Sequence, residues 1–180
     1  EQIGVLMAWT APRTWASNEA VTSSNMNTYV SDNLRWLNEA RPRLTVDGNL
    51  SVATGSGFAT PTGAWGSASP NAGSMYASST AMYMNTPTAG VYQFSLMVIF
   101  STSATGKRGA VISTSAGGGG TILAEDVREA TQGTEPTAIT ITTPLVQLGS
   151  TAIHFGIRQN SGSAMTCSVR FSGLWVANAT

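Results

Sequence analysis

From Arg43 onward, short segments of alternating apolar and polar residues recur about every ten positions, each closed by a cluster of Gly, Ser, Pro, Asn or Asp. Period-two alternation sends one set of side chains to each face of a strand. A chain made of such segments has to pair them and bury the apolar face against a second layer. In VYQFSLMVIF, Tyr92, Phe94, Leu96, Val98 and Phe100 share one face, while Met97 and Ile99 make the other face apolar as well. That pattern predicts a strand covered on both sides. AIHFGIRQ turns Ile153, Phe155 and Ile157 inward and His154 and Arg158 outward, and MTCSVRF turns Met165, Cys167, Val169 and Phe171 inward. RGAVIS, TILA and TAITITT are further strand candidates, and RLTV and LSVA flank Asp47-Gly48-Asn49, a tight-turn signal that predicts a hairpin. The expected fold is mainly β, an antiparallel sandwich or jelly roll.

Residues before Arg43 have a different texture. In VTSSNMNTYVSDNLRWLNEARP, Thr22 is placed as a helix N-cap, with Val21 and Met26 at the spacing of a hydrophobic staple. Met26, Tyr29, Val30, Leu34 and Leu37 form an amphipathic stripe, and Pro42 ends the helix. A helix of about four turns cannot bury such a stripe alone, so it must pack on the rest of the chain, on copies of itself or on a partner. The preceding MAWTAPRTWASNEA reads as an extended arm, with Trp9 and Trp15 anchoring it in a protein groove in preference to forming a carbohydrate platform. Trp36 is placed on a helix flank. Three regions follow: an arm and helix over 1–42 for attachment or trimerisation, a hairpin and Gly/Ser-rich connector over 43–69, and a head over 70–180.

Charge narrows the partners. Of 180 residues only 10% are charged, nine Lys+Arg against nine Asp+Glu, and no ionisable acid, Lys, Arg or His lies between Asp47 and Lys107. Surface is supplied instead by 21 Ser, 24 Thr and 19 Gly. A balanced, sparse charge removes the attraction that nucleic-acid binders and binders of anionic membranes rely on. The longest apolar run of the neutral stretch, Leu96 to Phe100, is far short of the roughly 20 residues a membrane helix needs. No export signal is visible, and Met7 is an alternative start. The sequons at Asn49 and Asn178 read as chance.

No catalytic constellation is expected, and no cofactor or metal. The single histidine, His154, reads as a surface residue, and no Gly-x-Ser-x-Gly elbow is present. One Cys and one His give no zinc spacing. Glu125, Asp126 and Glu129, with Arg128 among them, read as a solvated loop in preference to a calcium site. The run Gly117 to Gly120 lacks the Gly-Lys-Ser/Thr ending of a phosphate loop and reads as a flexible loop. Cys167 reads as a small buried hydrophobe.

Two motifs resemble the trimeric jelly-roll heads of the tumour necrosis factor and complement globular-head class. MNTPTAGVYQFSLMV supplies Pro87, Gly90, Tyr92 and Phe94 at that family's spacing, with Met84 where an aromatic usually stands. VRFSGLWVA supplies Phe171, Ser172, Gly173 and Leu174 near the C-terminus. The resemblance implies a homotrimer, a tight turn at Gly90, and a last strand in the middle of the trimer-facing sheet. Tyr92, Phe94, Leu96, Val98, Phe100, Phe171 and Leu174 are then the head core and trimer interface, and the neutral stretch is explained by burial between subunits.

The N-terminal stretch resembles the leader of many tailed-phage virion proteins, at Trp15, Glu19, Val21, Thr22, Met26, Asn27, Asp32, Asn33, Leu34 and Leu37. This implies a structural protein located on the virion, on the capsid surface or the tail. The first expectation is a trimeric capsid decoration protein whose partners are its own copies and the major capsid protein. In it, Trp9, Trp15, Met26, Tyr29, Val30, Leu34 and Leu37 anchor the chain or pack helices about the threefold axis. The alternatives are a minor tail or fibre-tip protein meeting a host surface receptor through Ser113 to Gly120 and Thr131 to Pro136, and a free trimeric lectin or ligand-like module.

Overall fold

The computed structural model describes Thr10 and residues 14–35, 41–66, 68–131 and 135–179. The chain divides into two compact units, Glu1–Arg41 and Pro42–Thr180.

In the second unit the alternating segments form strands β1 (Arg43–Val52), β2 (Asn71–Ala72), β3 (Tyr83–Thr86), β4 (Gly90–Phe100), β5 (Lys107–Ser113), β6 (Ile122–Glu129), β7 (Ala138–Thr142), β8 (Val146–Leu148), β9 (Thr151–Gln159) and β10 (Met165–Asn178). One sheet runs β2-β1-β10-β4-β7, with β8 also on β4; the other runs β3-β9-β5-β6. All the pairs are antiparallel, and one set of them nests: β1 with β10, β3 with β9, β4 with β7 and β8, β5 with β6. Successive nested pairs fall alternately in the first and second sheets. A long hairpin folded over itself in this way is a jelly roll.

The alternation accounts for the core. Tyr92, Phe94, Leu96, Val98, Phe100, Ile153, Phe155, Ile157 and Phe171 are all fully buried between the sheets. Their rings form a chain across the sandwich: Tyr92 and Phe94 centroids lie 6.0 Å apart, Phe94 and Phe171 6.2 Å, Phe171 and Phe155 5.4 Å, Phe155 and Trp65 5.2 Å. Each such ring contributes about 1.5–3 kcal/mol by leaving water. The buried Tyr92 hydroxyl donates to the Thr88 carbonyl at 2.8 Å, so its polar tip is satisfied.

Three expectations are corrected. β1 runs unbroken through Asp47-Gly48-Asn49, every residue from Arg43 to Val52 paired with β10, so the hairpin expected within 43–69 is absent. The tertiary partner overrides the local turn signal: Asp47 stands opposite Arg170, and Leu50 and Val52 keep their alternation into the core. Glu125, Asp126 and Glu129 lie in β6, not in a loop. The glycine run is packed down: Ala116–Gly118 forms a 3-10 turn, and Gly117 and Gly118 rest against Gly156 of β9, with φ of +63° and +79° that other residues rarely adopt. Gly90 is also required for a reason other than a turn. It opens β4, where a Cβ would collide with the Trp175 indole.

Among the described residues of the first unit runs one helical stretch: α1 (Ser23–Met26), a π-helical turn (Asn27–Ser31) and α2 (Asp32–Arg35). Thr22 caps it, its hydroxyl accepting from the Asn25 N–H at 3.2 Å. Within the π turn the Asp32 N–H reaches back to the Asn27 carbonyl. The wider turn brings positions four apart close to one line.

Candidate functional site

The residues expected to attach the chain separate into two groups. Trp9 and Leu37, like Trp36, lie outside the described residues. Trp15 sets its ring edge-on to Tyr29 at 6.4 Å. Asn33, one turn on from Tyr29, is the buried residue of the helix, and its amide clasps Thr10 from both sides: Nδ2 donates to the Thr10 carbonyl at 2.8 Å, and Oδ1 accepts from the Thr10 N–H at 2.9 Å. Nδ2 also reaches the Tyr29 carbonyl at 3.3 Å. The described part of the arm therefore covers the Tyr29–Asn33 side of its own helix. Met26, Val30 and Leu34, at a spacing of four, remain 44%, 38% and 62% exposed. An exposed apolar line on a short helix is unstable in water as an end state and is suited to burial against another surface.

In the head, Tyr92, Phe94, Leu96, Val98, Phe100 and Phe171 point into the sandwich and contribute to its interior. Leu174 alone of that set is exposed, at 37%, on the outer face of the six-stranded sheet. Beside it on that face run the intervening residues of β4, with Val91, Ser95, Met97 and Ile99 half-buried and Gln93 exposed. Two shallow hollows lie here, of 640 Å³ over Asp47, Met97 and Arg170 and of 320 Å³ over Gln93, Ser95, Ser172 and Leu174. Arg170 forks onto Asp47, Nε to Oδ1 at 2.7 Å and Nη2 to Oδ2 at 3.4 Å, and this bonding holds the guanidinium above its ordinary pKa. Ser168 Oγ meets Asn49 Oδ1 at 2.8 Å. The Arg170 and Asp47 charges on this face are thus spent on each other; Arg43 of β1 also borders the smaller hollow, and β4 adds no charge.

The opposite face, the outside of the four-stranded sheet, carries a groove of 440 Å³ that the sequence did not disclose. Tyr83 and His154 form its floor, directly opposite each other in the β3–β9 register with ring centroids 5.0 Å apart. Both are half-buried, so His154 is not the plain surface residue expected. Burial lowers its pKa from the ordinary value and favours the neutral ring.

The acidic residues of β6 do not gather. Alternation sends Asp126 to the face opposite Glu125, where it pairs with Arg128, and Glu129 pairs with Lys107 at 3.5 Å. Among the described residues no three His, Cys, Asp or Glu side chains come together as a metal site would require. Cys167 is buried in β10 opposite Leu50 of β1, its thiol 3.5 Å from the Leu50 carbonyl, and burial pushes its pKa up to about 12. Arg108 was also missed. It is fully buried at the start of β5, donating to the carbonyls of Lys107 at 3.0 Å and Ser103 at 3.2 Å, with Phe100 under its guanidinium at 5.8 Å. Its place in register with Ala110 and Ile112 on the inward face of β5 was the available signal.

Nested antiparallel pairs in two sheets, preceded by a separate helical unit, define a jelly-roll β-sandwich with an N-terminal appendage. No protein-family model matches the chain, and no curated protein matches it in sequence. Among solved structures it is similar to the PRD1 vertex protein P5, at TM-score 0.56 and 16% identity over 76% of this chain and 98% of that one. A structure of Eiger TNF from S. frugiperda aligns at TM-score 0.49 and 12% identity, over 78% of this chain and 96% of that one. At such identities the likeness to the PRD1 protein shows the fold.

Proposed function

We propose that the chain is a structural protein of a tailed-phage virion, a homotrimer that decorates the assembled capsid through its N-terminal unit. The observation that carries this reading is the uncovered line Met26–Val30–Leu34 on a helix whose other side the arm already occupies. Burying three half-exposed apolar side chains on a lattice of capsid subunits contributes roughly 1–2 kcal/mol each. Because that gain exists only on the assembled lattice, it stabilises the lattice by mass action. The phage leader motif and a fold shared with a phage vertex protein support the virion placement. The neutral, partly apolar outer face of β4 supports trimerisation through the six-stranded sheet. Catalysis has no part in this reading.

The test is co-sedimentation of the full chain with undecorated capsids, alongside Val30→Glu and Leu34→Glu. Saturable binding that both variants lose is the expected result, and undiminished binding by both would overturn the attachment surface. Analytical ultracentrifugation tests the trimer in the same samples. A second reading, a tail-tip protein that meets a host receptor, is favoured by the groove on the four-stranded sheet, and antibody labelling at the tail tip in place of the capsid would select it.

A further inference from the structure

We infer that the groove floored by Tyr83 and His154 binds a neutral sugar, the pyranose ring lying on the Tyr83 face and its hydroxyls meeting the threonines and imidazole around it. Four segments distant in sequence build the groove: residues 60–63, residues 80–83 running into β3, Ala116 of the 3-10 turn, and His154 of β9. Its 440 Å³ is within the volume range of small-molecule sites, and the groove is open to solvent, so it suits a ligand held on one face and not one enclosed. An aromatic ring backed by a second ring offers an apolar face at low conformational cost. Around it stand Thr60, Thr62 and Thr80, all exposed: the Thr60 hydroxyl can both donate and accept, while the Thr62 hydroxyl, donating to the Ser51 carbonyl at 3.4 Å, and the Thr80 hydroxyl, 3.5 Å from Ser78 Oγ, keep lone pairs for a ligand.

The charge pattern selects the ligand class. No acid, Lys or Arg lines the groove, and a neutral His154 supplies one donor and one acceptor. A phosphate, sulfate or sialic acid would find no counter-charge there, whereas a polyhydroxylated neutral ring matches a ring face rimmed by hydroxyls. Among the described residues neither the Tyr83 hydroxyl nor the His154 ring makes a hydrogen bond within the protein, so both remain available to a ligand. The walls are held in place. Thr62 exchanges backbone hydrogen bonds with Ser51, both at 2.8 Å, and Ala59 with Ile157, both at 2.9 Å. The groove lies on the face opposite the six-stranded sheet and stays open if that sheet is the trimer interface.

The inference rests on the groove and not on virion placement, so particle binding and sugar binding can fail separately. The experiment is a glycan array probed with the full chain, followed by NMR titration with methyl glycosides of glucose, galactose, mannose and N-acetylglucosamine. Expected are binding of a neutral glycan and shifts at the ring resonances of the single histidine. Tyr83→Ala should weaken binding about tenfold and Tyr83→Phe should retain most of it. Thr80→Trp, at an exposed rim position, should block binding with the melting temperature unchanged. No neutral glycan bound on the array, binding confined to sialylated or sulfated glycans, or binding left intact by Thr80→Trp would each overturn the assignment.

Discussion

Asn33 holds Thr10 by both of its backbone polar groups, donating to the carbonyl and accepting from the N–H as a neighbouring strand would. A side-chain amide is the group that can do both at once. Asn33→Ala leaves the Thr10 amide and carbonyl without these partners. The expected result is loss of about 1–3 kcal/mol locally, read as faster hydrogen exchange at Thr10 with the exchange of β10 unchanged. Asn33→Asp, which keeps the acceptor but not the donor, should fall between.

Gly90 gives way to the Trp175 indole. Gly90→Val should cost about 1–3 kcal/mol through overpacking, measured by urea denaturation. Gly149→Val, at an exposed position with nothing within 4 Å of the added Cβ, serves as the control and should change stability little.

Among the described residues Arg108 has no carboxylate partner: its hydrogen bonds go to two carbonyls, the Phe100 ring lies under its guanidinium, and its Nε has no partner. Such a group is costly to desolvate, and burial lowers its pKa. Arg108→Met, which fills the same space without charge, should leave stability within about 1 kcal/mol or raise it. Arg108→Ala should cost about 2–4 kcal/mol through the cavity it leaves.

The Cys167 thiol, raised from 9.0 to about 12, binds its proton more tightly in the folded chain than in the unfolded one. Its contribution is complete below pH 9 and is lost as pH rises toward 12. Cys167→Ala should flatten that alkaline limb of the stability curve. In the native chain at pH 8 the thiol should resist a maleimide reagent that labels it at once in denaturant.

His154 behaves oppositely. Its depressed pKa means that the folded chain binds a proton less readily, so its contribution is present above the ordinary value of 6.5 and lost as pH falls through the folded value. The single histidine gives one NMR titration curve, expected to have its midpoint below 6.5. A midpoint at or above 6.5 would contradict the half-buried position against Tyr83.

Period-two alternation made β4, β9 and β10 legible, because their inward residues are continuous enough to fix both strand and face. The motif through Pro87, Gly90, Tyr92 and Phe94 carried the jelly-roll assignment, although Gly90 serves the packing of Trp175 rather than a turn. β1 was misread because Asp47-Gly48-Asn49 is a good turn sequence in isolation, while the register that overrides it is set by β10, more than a hundred residues later. The helix stripe was visible, but which part of it the arm would cover was not. That choice depends on Asn33, a polar residue whose burial no apolar pattern announces. The groove was invisible for a similar reason: Tyr83 and His154 become neighbours only through the β3–β9 pairing.

The nesting of the strands has a geometrical result. Arg43 stands opposite Leu174 and Val52 opposite Met165, so the chain enters the head and finishes β10 at the same end of the sandwich. At the other end, residues 101–106 and 160–164 cluster, and Gly162 is tied to Thr54 by one hydrogen bond with open space around it. A peptide spliced in at Gly162 would stand clear of the end at which the N-terminal unit joins. Sequence added at that end would lie open to solvent and leave the β1–β10 pairing intact.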